Sequence, residues 1–348
     1  ISAKARLPRN ELPDYLDAKA SIELNDGSKI SAKGKLPLSS ELPLNFQAQV
    51  EELDMELLKD LLPQNVLHGK GKISSKLEVQ GKPEESLHRI DAEFALSPGS
   101  LLQLPIGRDQ STTIETRLKS LEGKLSFERS PKGILLDMKK VLGKFANGGR
   151  CSLNLEHSEI AEKAETVLGF KFVDCDASEL LQALASRELN LKLKGRASLL
   201  GSYRGSTSGK QIEANFDFED VKAQKNYKGF TYSFPIERLQ GKLIYAGDSK
   251  NGQIELPKCQ AKIFGGSIAI EGESRVNPEF APKLSFKGEN LEAKDLCSSL
   301  GLKSFSAKGA SALEGTVQGT GSNTRIRASL ETEEARIYWK LDRDSKYP

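Results

Sequence analysis

The side chains able to do chemistry are few and scattered. The three histidines, His68, His88 and His157, have no nucleophile or metal-ligand partner at a usable spacing and read as surface or turn residues. The four cysteines, Cys151, Cys175, Cys259 and Cys297, make neither a CxxC pair nor a zinc spacing. They read as buried free thiols; a bridge would need an oxidising compartment, and nothing in the sequence pairs them. Gly69-Lys-Gly71 lacks the third glycine of a dinucleotide fingerprint and leads into a strand pattern, and no Walker loop is present. Carboxylates abound, but no cleft singles out a pair. The expectation is no catalytic residue, no metal, no cofactor and no enzyme.

The partners that charge and aromatics select are narrowed in the same way. Fifty-one basic residues face 48 acidic ones, interspersed along the chain, so no face is built for a nucleic acid. Tyr227, Phe230, Tyr232 and Phe234 form the one local aromatic cluster, and their alternation is that of strand residues packing a sheet. No apolar run reaches the roughly 18 residues of a membrane-spanning helix. The chain begins at Ile1, which reads as a mature or excised segment whose membrane anchor lies elsewhere.

The elements that must position these side chains are mostly strands. Ser21-Ile-Glu-Leu24, a turn at Asn25-Asp-Gly27 and Lys29-Ile-Ser-Ala-Lys-Gly34 read as a hairpin with one buried face. Ile90, Ala92, Phe94 and Leu96 take every second position, with Asp91 and Glu93 between them, as in a sheet wet on one face only. Helix signals are short. Leu53, Leu57, Leu58, Leu61 and Leu62 share one side and stop at Pro63; Asp176 with Glu179 reads as a capping pair; Gly301 sits where a C-terminal cap belongs.

These signals recur. Gly71 and Gly81, Gly195 and Gly205, and Gly309 and Gly319 keep one ten-residue spacing behind the three helix signals. Leu121-Glu-Gly-Lys-Leu125 returns as Leu239-Gln-Gly-Lys-Leu243, and Gly123 to Gly241 is 118 residues. Gly148-Gly149 returns as Gly265-Gly266 after 117. The chain therefore reads as repeat units: 1–62 ends one, 63–184 and 185–300 are complete, and 301–348 starts another. Each unit offers too little helix to cover an apolar sheet face. The fold class expected is mainly β, an elongated, curled antiparallel sheet whose inner face is an apolar trough.

A leucine-rich helix ending Leu61-Leu-Pro63, a glycine-framed strand, Leu239-Gln-Gly-Lys-Leu-Ile-Tyr245, a Gly-Gly strand and the ending Ala328-Ser-Leu-Glu-Thr-Glu-Glu-Ala-Arg-Ile-Tyr-Trp339 resemble the AsmA-like superfamily of bacterial envelope proteins. The YhdP branch is the nearer likeness and the TamB branch the next. The resemblance implies a periplasmic β-groove, anchored to the inner membrane, that passes phospholipids between inner and outer membranes, with other envelope proteins as partners. The alternatives are an outer-membrane protein assembly factor acting by strand addition, and a closed structural or adhesive β array. On the groove reading the candidate lining residues are Phe94, Leu96, Leu125, Phe127, Leu191, Leu193, Phe216, Phe218, Leu243, Tyr245, Ile268, Ile270, Leu284 and Phe286.

Overall fold

The computed structural model describes residues 2–5, 14–24, 26–39, 41–58, 68–82, 87–106, 112–160, 163–178, 191–227, 230–248, 251–277, 279–299, 305–306, 308–320, 323–332 and 338–339. The protein is mainly β and its sheets are antiparallel. Two compact units divide it, Ile1–Val173 with Ser202–Thr207, and Asp174–Gly201 with Ser208–Pro348.

In the first unit the sheet begins with β1 (Ser2–Ala5), β2 (Tyr15–Glu23), β3 (Lys29–Pro37) and β4 (Leu44–Asp54), each paired with the next. β4 pairs with β6 (Lys72–Lys82), and β6 with β7 (Leu87–Leu96). β7 takes the second half of β9 (Thr112–Ser130), followed by β10 (Gly133–Phe145), β11 (Arg150–Ile160) and β12 (Lys163–Asp176). β5 (His68–Lys70) and β8 (Leu101–Ile106) form a side arm on the first half of β9. The alternating residues dictate this: Leu44, Phe46, Ala48 and Val50 are half-buried and the residues between them exposed.

The second unit holds β13 (Leu191–Ser206) as far as Gly201 and a run of paired strands: β14 (Gly209–Tyr227), β15 (Phe230–Gly247), β16 (Gly252–Ile263), β17 (Gly266–Asn277) and β18 (Ala281–Glu292). β18 then pairs with β20 (Ala310–Gln318), and β20 with β21 (Arg325–Thr332). The helix α1 (Ala293–Ser299) follows β18, and β19 (Phe305–Ser306) pairs with β22 (Tyr338–Trp339).

One local device appears at each of the three helix signals. Glu52, Asp174 and Asn290 adopt left-handed φ of 51°, 54° and 57°, and the next residue, Leu53, Cys175 or Leu291, is buried. At the first and third of these the strand register shifts, the mark of a β-bulge that re-aims a side chain. The amide of Met55 donates to the Gly71 carbonyl at 2.9 Å, and the amide of Ala293 to that of Gly309 at 3.1 Å. Gly71, Gly195 and Gly309 all have positive φ, and at Gly195 a Cβ would fall 2.7 Å from the Asp220 carbonyl, so only glycine fits. Side-chain oxygens support two copies: Ser74 Oγ accepts from the Glu52 amide and Ser198 Oγ from the Asp174 amide.

The helices themselves depart from the sequence reading. Leu53 belongs to β4, and Met55–Leu58 is a 3-10 turn whose Glu56 amide is capped by Asp54. Asp176 does cap, accepting from the Ser178 amide at 2.7 Å, and Ala177–Ser178 are helical. Leu61, Leu62, Pro63, Glu179 and Gly301 lie outside the described residues. The third signal forms α1 and buries Ala293, Leu296 and Cys297.

Candidate functional site

Cross-strand register assigns the candidate residues to faces. In the first unit Phe94 opposes Gly123, Ala92 opposes Leu125, Ile90 opposes Phe127 and Leu96 opposes Leu121, so Phe94, Leu96, Leu125 and Phe127 share one face. The row through Leu125 runs Ala20, Ala32, Ala48, Leu77, Ala92, Leu125, Met138, Leu155 and Leu168 across nine strands. In the second unit Phe216, Phe218, Leu243, Tyr245, Ile268, Ile270, Leu284 and Phe286 also share one face. One of its rows is Phe216, Gly241, Cys259, Ile270, Phe286, Gly315 and Ala328. Leu191 and Leu193 lie in β13, and their side chains are outside the described ones.

Leu96 is buried and the other described candidates are half-buried. Part of that burial is local. The rings of Phe94 and Phe216 lie over Gly123 and Gly241, where a Cβ would approach to 2.9 and 2.8 Å, and the Phe286 ring covers Gly315 in the same way. These glycines, visible in the sequence only as period markers, let three aromatic rings lie flat on the sheet. Phe216 and Phe218 pack with centroids 5.7 Å apart, and Phe145, Phe170 and Phe172 form a second aromatic stripe.

One end of each face is closed. Leu96 and Leu118 form a core with Met55, Ile73, Leu121 and Phe145 in the first unit. In the second, Ile263, Phe264, Leu291 and Leu296 close it with Phe234, Ile236, Ile268 and Leu313. Phe234 thus packs as expected of an alternating strand residue, while the side chains of Tyr227, Phe230 and Tyr232 are outside the described ones.

The opposite face is polar and self-neutralised. Arg89 holds Asp91 through two hydrogen bonds at 2.8 and 3.3 Å, and Lys124 pairs with Glu93. Arg238 forks onto Asp217 at 2.9 and 2.5 Å, and Lys242 meets Glu213 at 2.6 Å. The Arg89 and Arg238 hydrogen bonds hold the Asp91 and Asp217 carboxyls below the ordinary range, and Lys124 does the same to Glu93.

The hollow in the first unit lies on this polar face. It holds about 1110 Å³ and is lined by the rows Lys19, Lys33, Gln47, Glu78, Asp91, Ser126, Asp137 and Ser21, Ser31, Gln49, Lys76, Glu93, Lys124, Lys139, by Arg89, and by the row between them, Ala20, Ala32, Ala48, Leu77, Ala92 and Leu125. The sequence places the trough on the apolar face. Curvature follows twist and bulges, which the polarity pattern does not encode.

Cys151 and Cys259 sit on the apolar face beside Gly143 and Gly241, and burial pushes both thiols up, away from reactivity. All four cysteines are buried and none is in a disulfide. His157 is half-buried within β11, its Nδ1 2.8 Å from Thr166 Oγ1, not on a turn. Among the described residues no group of His, Cys, Asp and Glu could hold a metal, and no helix is long and apolar enough to cross a membrane. A scan of family models and searches of curated proteins and of solved structures return no match.

Proposed function

We propose that this chain is a segment of a bridge-like lipid transfer protein, whose apolar sheet faces carry the acyl chains of phospholipids across the periplasm between inner and outer membranes. The supporting observation is the apolar face itself, nine strands across in one unit and seven in the other, half-buried over its middle strands, with helix cover among the described residues limited to its closed end. A buried methylene contributes about 0.8 kcal/mol, so a lipid with some thirty of them loses roughly 25 kcal/mol in bare water. Repeated rows offer near-equal sites along which a chain slides without a deep trap.

Mass spectrometry of lipids that co-purify in mild detergent tests this reading. Stoichiometric phospholipid supports it, and reproducible absence overturns it. Ile270→Asp and Phe216→Asp place a carboxylate on the face and are expected to abolish lipid retention in a folded protein; unfolding of both favours a closed core instead.

A second reading, strand addition as in an assembly factor, draws support from β21. All eight of its residues are exposed, Ile326 at 70 %, and among the described residues no strand pairs with its outer edge.

A further inference from the structure

We propose that His88 and Arg129 form a site for the phosphate of an amphiphile's headgroup, at the open end of the apolar face of the first unit; this rests on the acyl-chain reading above. Between the bulged end of this face and its far hairpins, the ionisable side chains among the described residues are His88, Arg129, His157 and Glu159, and all four sit at the far end. The other end is the closed one, around Leu118. A chain lying on the face therefore meets apolar rows along its length and polar groups at one terminus only.

His88 and Arg129 oppose each other directly in β7 and β9. Their Cβ atoms are then about 5 Å apart, a spacing that the oxygens of one phosphate bridge. Both side chains are exposed, and neither has an ion-pair or side-chain hydrogen-bond partner among the described residues. The guanidinium presents paired N–H donors that match two phosphate oxygens, and the imidazole adds a third donor. His157 is engaged with Thr166. Glu159 is separated from Arg129 by Ile134 of β10, about two strand spacings or roughly 10 Å. Its carboxylate repels an anion from the β11 side and leaves β7 and β9 as the favoured place. At the corresponding end of the second unit Lys210 opposes Gly247, and the nearby polar groups are Tyr245 and Ser274. No guanidinium fork is offered there.

The test uses the full chain and three probes: tetradecyl phosphate, the uncharged tetradecyl maltoside, and inorganic phosphate, with binding read by calorimetry. Tetradecyl phosphate is expected to bind about tenfold more tightly than the maltoside, as charge-assisted hydrogen bonds imply. The double variant His88→Gln with Arg129→Gln should erase that preference and leave maltoside binding unchanged, which also reports an intact fold. Arg129→Lys should keep part of the preference. A preference that survives the double variant overturns the site. Inorganic phosphate binding as tightly as tetradecyl phosphate overturns the headgroup assignment in favour of a free-phosphate site. If wild type binds neither amphiphile, the acyl-chain reading fails and this inference fails with it.

Discussion

Leu291 and Ala293 are fully buried at the closed end of the second unit's face, beneath a formed helix. At the matching place in the first unit Leu53 is 9 % exposed and the chain makes only a 3-10 turn. The far ends differ as well: His88 and Arg129 in one unit, Lys210 and Gly247 in the other. Between the ends both units carry apolar rows on one sheet face. The two units thus share an apolar face and differ at its two ends, which is where a ligand that slides would be stopped, oriented or released.

The closed ends give the largest expected difference. Leu291→Ala is expected to destabilise its unit by about 3 to 4 kcal/mol, and Leu53→Ala by about 2, because the less buried site loses less and collapses more easily. Urea titration with hydrogen exchange read separately over each unit checks this, and equal losses break the comparison. Phe264 sharpens it. Its φ of 54° is strained for a bulky residue, yet its ring is 5 % exposed in the cluster under α1, and its carbonyl accepts from the Glu292 amide at 2.7 Å. Phe264→Gly removes about 3 kcal/mol of burial and relieves about 1 of strain, a net loss of roughly 2. The corresponding turn of the first unit carries Asn147-Gly148, with Asn147 at the place of Phe264.

The bulges predict a smaller contrast. Ser74→Ala and Ser198→Ala each leave the amide of a left-handed residue without its acceptor, at a cost of about 1 kcal/mol. The third copy already has alanine, at Ala312, so Ala312→Ser is expected to be nearly neutral or slightly stabilising by the same urea assay.

Acid gives the smallest effect. The Asp91 and Asp217 carboxyls titrate lower when folded than unfolded, so their contribution is present above the ordinary carboxylate pKa of about 3.9 and is lost as pH falls below it. These are exposed pairs, each contributing under about 1 kcal/mol. Arg238 reaches Asp217 across two strands, whereas Arg89 reaches Asp91 along one, so the second unit should lose slightly more stability as pH falls below about 4. Equal acid responses in the two units would contradict this.

Much of the fold is legible in particular residues. The alternation of Ile90, Ala92, Phe94 and Leu96 fixes their shared face, and the glycine spacing marks the three places where the backbone turns left-handed. The first helix is misread because Leu53 fits an amphipathic pattern, while the bulge at Glu52 that returns it to the sheet is a single residue with no periodic trace. Asp174 and Asn290, residue types that tolerate left-handed φ, are the signal that could have found it. The hollow beside Asp91 and Ser126 depends on twist accumulated over seven strands, and His88 meets Arg129 only through a register set 41 positions apart in the chain.

The central claim, that acyl chains lie on the apolar face and not in the polar hollow, is tested most directly by neighbouring residues of one strand. A photo-crosslinking amino acid is placed at Phe127 or at Ser126, which point to opposite faces, and the full chain is irradiated with vesicles of phosphatidylethanolamine and phosphatidylglycerol. Lipid adducts at Phe127 and none at Ser126 are the predicted result; adducts at Ser126 alone, or at neither position, contradict it.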